Sequence, residues 1–224
     1  MTTTSSRSKH RRRSTKPRGR GRGRRSDRRG GNTFIWVFLA ALVVLFGVLA
    51  FVSRSTGPAA EITDAQVAGE ALAPFAPGND TAVGSQAPDL SGQTLDGEPI
   101  TIDTDDGTPR AMVFLAHWCP HCQREVPVVT DWVADGQLPD GVELVGVATG
   151  IDRNRPNFPP QDWLEREEFL AETLVDGSNA AARAYGLTNY PYWVLVDGEG
   201  NVVQRWSGET TPEQLTERIG ALAE

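Results

Sequence analysis

The chain has 224 residues, two of them cysteine, and a formal net charge of −7 that averages two unlike parts. Residues 1–31 hold thirteen Lys+Arg against one acid, Asp27, while the remainder holds nine against 28 acids, and every lysine lies in the first part. Such a split excludes one environment for the whole chain, and with only Cys119 and Cys122 present, any cysteine chemistry belongs to that pair.

In chain order, the basic tail comes first, residues 1–33, including Arg18-Gly19-Arg20-Gly21-Arg22-Gly23-Arg24-Arg25. Its composition forbids a packed core, so it is expected to be disordered. RNA and anionic lipid are the partners such a run can bind. No aromatic side chain interleaves the arginines to make a stacking platform, so the reading is a topogenic flank against acidic head groups, without nucleic acid.

Residues 34–52, Phe34 to Val52, follow without a charge or a proline. At about 1.5 Å per residue they approach the roughly 30 Å hydrocarbon thickness of a bilayer, which predicts a single transmembrane helix. The positive-inside rule keeps the tail in the cytoplasm and sends everything after about Arg54 outside, giving a single-pass protein of the cell membrane. A cleaved signal peptide is the alternative, since Val48-x-Ala50 resembles a cleavage signature; the apolar run is longer than an ordinary signal core. No cysteine near the end of the run excludes a lipoprotein anchor, and Arg28-Arg29 followed by Gly30-Gly31-Asn32 is not a twin-arginine signal.

Residues 53–83 are rich in Ala, Gly and Pro and read as a flexible extracytoplasmic linker, with Glu61 to Leu72 as a short helical candidate. The rest, residues 84–224, suits one domain. Pro99 to Ile102 reads as a strand after the turn Asp96-Gly97, and Ala111 to Ala116 as a strand covered on both faces. A helix from Cys119 to Ala134 carries Cys122, Val126, Val129 and Val133 on one stripe, with Pro127 inside it. Val142 to Ala148 is a second buried strand. A polar loop, Gly150 to Pro160, leads to a helix at Gln161 to Leu170, a strand at Glu172 to Val175 and a helix at Ser178 to Tyr185. Tyr192 to Val196 and Val202 to Trp206 form a hairpin around Asp197-Gly198-Glu199-Gly200, and Thr211-Pro212-Glu213 starts a last helix, to Ala223. Strands alternating with helices and closing on a hairpin predict an α/β three-layer sandwich with a mixed sheet.

The chemistry gathers where the strand before Ala116 meets the helix after it. Residues i and i+3 share a helix face, so the sulfurs of Cys119 and Cys122 can meet and close a small, readily reopened ring. Cys119, at or beside the N-cap, is the expected reactive thiol, because unpaired N–H groups and the helix dipole favour a thiolate there. Cys122, a turn deeper, is the expected resolving thiol. Pro120 suits the first helical position, and His121 adds a donor or positive group.

These residues carry a resemblance. Trp118-Cys119-Pro120-His121-Cys122, then Pro127, then Asn189-Tyr190-Pro191 before an apolar strand, then the Asp197–Gly200 hairpin resemble the membrane-anchored TlpA/ResA kind of thioredoxin-fold thiol-disulfide oxidoreductase. The segment Val83 to Leu90 with Leu95-Asp96-Gly97 also matches. The resemblance covers roughly residues 83–224. It implies a redox-active Cys119/Cys122 disulfide, a cis bond before Pro191 with Pro191 opposite the dithiol, and a backbone at Tyr190 that pairs with an extended stretch of substrate. Trp118 is then a structural and substrate-facing ring. It also implies exported protein thiols and disulfides as substrates, a membrane redox partner that recycles the dithiol, and no cofactor or metal.

Two departures stand out. Thioredoxins commonly bury a carboxylate six residues before the first cysteine; Val113 stands there, and no replacement acid is evident. The Pro120-His121 dipeptide resembles that of DsbA-type oxidants, whereas TlpA/ResA relatives are usually reductants; the potentials concerned span roughly 150 mV, or about 7 kcal/mol. Because the dipeptide acts at the sulfur, oxidation is the favoured direction, with reduction, for example in cytochrome c maturation, as the alternative. A copper carrier built from Cys119, Cys122 and His117 or His121 is a lesser alternative, although His117 reads as a surface residue pointing away from Cys119. A thiol peroxidase would place a threonine where Ala116 stands. Trp132, Trp163, Trp193 and Trp206 read as core, and Arg153, Asn154 and Arg155 as a lip beside the site.

Overall fold

Strand β4 (Arg110–Leu115) is buried at every residue, Ala111 to Leu115 as their unbroken apolar run requires and Arg110 through its pairing with Asp106 and Glu143. In the computed structural model, which describes residues 37–44 and 62–223, it lies at the centre of a five-stranded sheet. Strands β5 (Glu143–Ala148) and β6 (Glu172–Val175) run parallel to it on one side, and β7 (Tyr192–Val196) and β8 (Val202–Ser207) follow with antiparallel pairings on the other. The order is β6-β5-β4-β7-β8, so the expected mixed sheet is present.

Side chains alternate across that sheet, as the two-residue period of a strand dictates. Met112, Phe114, Val145, Val147, Tyr192 and Val194 enter one core. Ala111, Val113, Leu115, Leu144, Trp193 and Leu195 enter the other. The second core is closed by helices α1 (Pro120–Ala134), α2 (Pro160–Arg166) and α4 (Pro212–Gly220). The first is closed by the short helix α3 (Ala180–Ala184) together with a small antiparallel sheet of β1 (Gln66–Ala68), β2 (Asp89–Gln93) and β3 (Pro99–Ile102). The three layers are therefore helices, mixed sheet, and a helix with a second sheet. This is a thioredoxin-like α/β fold.

The linker expectation needs correcting over residues 62–83, which are packed onto the domain. Ala65, Leu72 and Ala82 are buried, and the Leu72 and Phe75 N–H groups donate to Ala184 O and Gly186 O at 2.7 and 2.9 Å. Arg205 fastens the segment further: its guanidinium binds the Asp80 carboxylate and donates from Nη1 to Ala73 O and Tyr185 O, both at 3.0 Å. The helical candidate at Glu61 to Leu72 instead contains β1, because Val67 gains a place against the first core by pairing with Leu90. Residues 53–61 and the basic tail lie outside the described residues. Residues 37–44, inside the expected span, are helical, and the rest of that span also lies outside them. Among the described residues no helix is long and apolar enough to cross a membrane.

Three helices are shorter than their sequence pattern; α4 ends at Gly220 rather than Ala223. Helix α2 stops at Arg166 because Glu168 adopts φ 53°, a left-handed conformation, and the chain turns back with Phe169 N–H on Leu164 O. Helix α3 starts after Asn179, itself at φ 61°.

Candidate active site

Strand β4 ends at Leu115 and α1 begins at Pro120, so the intervening turn presents Cys119 as the N-cap residue, with φ −76° and ψ 120°. Pro120 takes the first helical position, where its missing N–H has no partner to lose. No side chain caps this helix start, leaving its free N–H groups and dipole to act on the Cys119 sulfur. Cys119 is 6% exposed and Cys122 is fully buried. Burial pushes the Cys122 thiol far up, and its interaction with the adjacent Cys119 adds to the rise. The two sulfurs therefore differ in the way exchange requires, one just reaching the surface and one fully covered and held as a thiol.

Around them stand two aromatic rings. Trp118 donates from Nε1 to Gly150 O at 2.7 Å, meets the Tyr190 ring edge-on at 6.0 Å, and lies under the Arg155 guanidinium at 4.4 Å. Gly150 is left-handed at φ 61°, and a Cβ there would meet Tyr190 Oη at 2.7 Å, so the close approach needs glycine. The Tyr190–Pro191 bond is cis, as the resemblance implies. Tyr190 shares an apolar cluster with both cysteines, and burial raises its phenol. The lip is thus part of the site's wall: Arg155 covers Trp118, and Arg153 lies 5.5 Å over the Phe158 ring.

His117 is not a surface residue. It is buried, with Nδ1 donating to Pro156 O at 2.7 Å and Nε2 accepting from Asp152 N–H at 3.2 Å. Burial lowers its basicity, and the two contacts fit the neutral ring. The loop folding over it decided its burial, and nothing local to His117 signals that.

The acid absent from position 113 comes from the helix. Glu125, one turn past Cys122, is buried, and its Oε1 accepts from Trp193 Nε1 at 2.9 Å while Oε2 accepts from Thr210 N–H at 2.7 Å. Trp193 pairs with Val113 across β4 and β7, so the helix carboxylate reaches over the strand pair that a central-strand acid would occupy. Burial pushes Glu125 above its ordinary value of 4.5, against the lowering effect of those two hydrogen bonds. Sequence reading missed it because a glutamate in an amphipathic helix looks like a solvated one. The available signal was its i+3 spacing from Cys122, next to Val126 on the buried stripe.

His121, between the cysteines, is 58% exposed and does not stand alone. Its Nδ1 is 2.5 Å from Glu209 Oε1 and 2.9 Å from Arg124 Nη2. Glu209 in turn holds Arg124 through Nε at 3.0 Å and Nη2 at 2.6 Å. These contacts, from Arg124 first and His121 second, hold the Glu209 carboxyl at about 2.

Residues 83–205 match the AhpC/TSA family. The chain belongs to that family. Within it, the chain is a ResA/TlpA-like protein thiol-disulfide oxidoreductase, an enzyme. It is 24% identical over 137 residues to thiol-disulfide oxidoreductase ResA of Bacillus thuringiensis, covering 61% of this chain and 76% of that protein. It is 27% identical over 141 residues to the ResA of Geobacillus thermodenitrificans, covering 63% and 78%. Among solved structures, dsbF of MTB, in mixed oxidised and reduced forms, is 32% identical with a TM-score of 0.51 over 59% of this chain and 93% of that one. The matched stretch includes β2 to β7, most of β8, and α1, and therefore Cys119, Cys122, Glu125 and Pro191.

Proposed function

We propose that this enzyme exchanges disulfides with exported proteins outside the cytoplasm, with Cys119 meeting the client, Cys122 resolving and Glu125 taking the Cys122 proton. One observation carries the reading: a buried dithiol whose deeper sulfur is held as a thiol, with a buried carboxylate one helical turn away. In the reducing direction the Cys119 thiolate attacks a client disulfide, forming a mixed disulfide and releasing one client thiolate. Cys122 then gives its proton to Glu125 and attacks the Cys119 sulfur. The second client thiol leaves, two electrons have passed to the client, and the pair is a disulfide that a membrane partner reduces again. Oxidation of a client is the same sequence reversed. Trp118 and Tyr190 wall the approach, and the backbone before Pro191 offers an extended client its pairing edge. A single helix at residues 34–52, with the basic tail 1–33 in the cytoplasm, would hold the domain at the cell membrane's outer side.

Reduction is the direction we read first. Glu125 takes the Cys122 proton in reduction and returns it in oxidation, so it serves both directions alike and the potential decides between them. The sequence argument for oxidation rested on Pro120-His121, and His121 is engaged by a carboxylate. The dipeptide keeps oxidation as the second reading. A copper carrier loses ground because both ring nitrogens of His117 are taken by backbone groups, and a peroxidase lacks a hydroxyl at Ala116.

Equilibration of the full-length protein in detergent with glutathione buffers tests this. A potential near the thioredoxin value of about −270 mV supports reduction; one near the DsbA value of about −120 mV overturns it in favour of oxidation. Cys119→Ser must abolish exchange and Cys122→Ser must accumulate the mixed disulfide; failure of either removes the assigned roles.

A further inference from the structure

The segment from Gly208 to Thr211 joins β8 to α4 and is pinned at three of its four residues. Gly208 N–H donates to Pro191 O at 2.9 Å, Thr210 N–H to Glu125 Oε2 at 2.7 Å, and Thr211 closes a capping box with Gln214. Thr210 Oγ1 also accepts from Trp206 Nε1 at 2.9 Å. Glu209 stands between these anchors, so its backbone is fixed while its side chain reaches α1. Exposed ion pairs ordinarily contribute little, because two long side chains must be immobilised in water. A carboxylate on an anchored backbone, gripped by both Nε and Nη2 of one guanidinium, has less freedom to lose.

Proton placement in this trio follows from geometry. Glu209 is a carboxylate, so the 2.5 Å contact with His121 requires the proton on Nδ1. Nδ1 then cannot accept from Arg124, whose donors are satisfied by Glu209 instead. The His121 ring, as an Nδ1–H donor, and the Arg124 guanidinium are therefore both tied to one negative charge beside the reactive sulfur. Arg124 lies close enough to feel Cys119, since a charge on that sulfur would raise the guanidinium further.

We propose that Glu209 is a positioning residue that sets the redox potential of the Cys119–Cys122 pair, holding the His121 ring and the Arg124 guanidinium back from stabilising the Cys119 thiolate and making the pair less oxidising than its dipeptide alone would. This rests on the exchange reading above. With the carboxylate gone, the ring and the guanidinium carry one negative charge fewer beside Cys119. The reduced form gains stability from that change, because only the reduced form holds a thiolate.

The test is the equilibrium with glutathione, measured on the full-length protein in detergent. Glutathione disulfide takes two electrons and two protons from the Cys119 and Cys122 thiols, one S–S bond forms as another breaks, and two glutathione thiols are released. Glu209→Gln is expected to shift this equilibrium about tenfold toward the reduced pair, which is about 30 mV more oxidising. Alkylation of reduced Cys119 by iodoacetamide should speed up severalfold. In a His121→Ala/Arg124→Gln background, where nothing holds the carboxylate beside α1, the same substitution should move both by less than half as much. A constant within about twofold of the native one, or an undiminished shift in that background, overturns the proposal. A native pair inert toward glutathione overturns the exchange reading, and this one with it.

Discussion

Two glutamates tie α1 to the Gly208–Thr211 loop, one from the helix and one from the loop, and their surroundings drive their carboxyls in opposite directions. Glu125, under the sheet, is pushed above 4.5 by burial. Glu209, at the surface, is held at about 2 by Arg124 and His121. Yet both are bound to one short loop, Glu125 through Thr210 N–H and Glu209 as that loop's own residue. The difference separates two jobs within one turn of α1. Water cannot readily reach Cys122, so its proton needs a buried acceptor, and a carboxylate made reluctant to ionise is matched to that task. Cys119 just reaches the surface, and the field around its sulfur decides how readily it stays a thiolate.

The largest effect that would break this division is at the buried face. Glu125→Gln is expected to slow resolution of a Cys119 mixed disulfide by about a hundredfold at neutral pH, the usual contribution of a placed acid or base. Stopped-flow release of a client thiol measures it. An unchanged rate would mean that Cys122 loses its proton by another route, and the contrast between the glutamates would lose its chemical meaning.

A second effect separates them by pH. The native protein binds the Glu125 proton more tightly than the unfolded chain does. Stability from this group is therefore full below about 4.5 and falls as pH rises through its raised native value. Glu209 runs the other way: its contribution is present above the ordinary 4.5 and lost as pH falls toward about 2. Denaturant melts of the native protein and Glu125→Gln across pH 4 to 8 should differ in slope, the variant being flatter. Parallel curves would show that burial does not raise this carboxyl.

How much of this was legible in the sequence depends on how far apart the partners lie. Strands Pro99–Ile102, Glu172–Val175 and Tyr192–Val196 sit where their apolar residues place them: Ile100 and Ile102 alternate with exposed neighbours, while Thr173 to Val175 and Tyr192 to Val196 are buried throughout. Strand β2, Asp89–Gln93, has no such run; only Leu90 in it is buried, and it is a strand because β1 and β3 pair with it. At the site, Cys119 as N-cap and Pro120 at the first helical position follow from local chemistry and are where spacing puts them. Glu209 is 88 residues from His121, and no local pattern in either segment joins them. His117 reads as exposed for the same reason, since the residues that bury it lie 35 and 39 positions on.

The smallest expected effect tests whether the exposed trio tunes chemistry without holding the fold. Arg124→Gln removes the guanidinium that grips both Glu209 oxygens and leaves His121 as that carboxylate's remaining partner. Because these side chains lie in water, the melting temperature at neutral pH should fall only slightly, by less than the change for Glu125→Gln. The glutathione equilibrium should move by about twofold to fivefold toward the disulfide, since one cation is lost beside Cys119 while the carboxylate stays. Direction matters more than size here: Glu209→Gln removes a negative charge and Arg124→Gln a positive one, so their shifts must have opposite signs. Equal signs would mean that both substitutions act by loosening the Gly208–Thr211 loop, and the surface glutamate would then be a strut like its buried counterpart's Thr210 contact rather than a source of field at the sulfur.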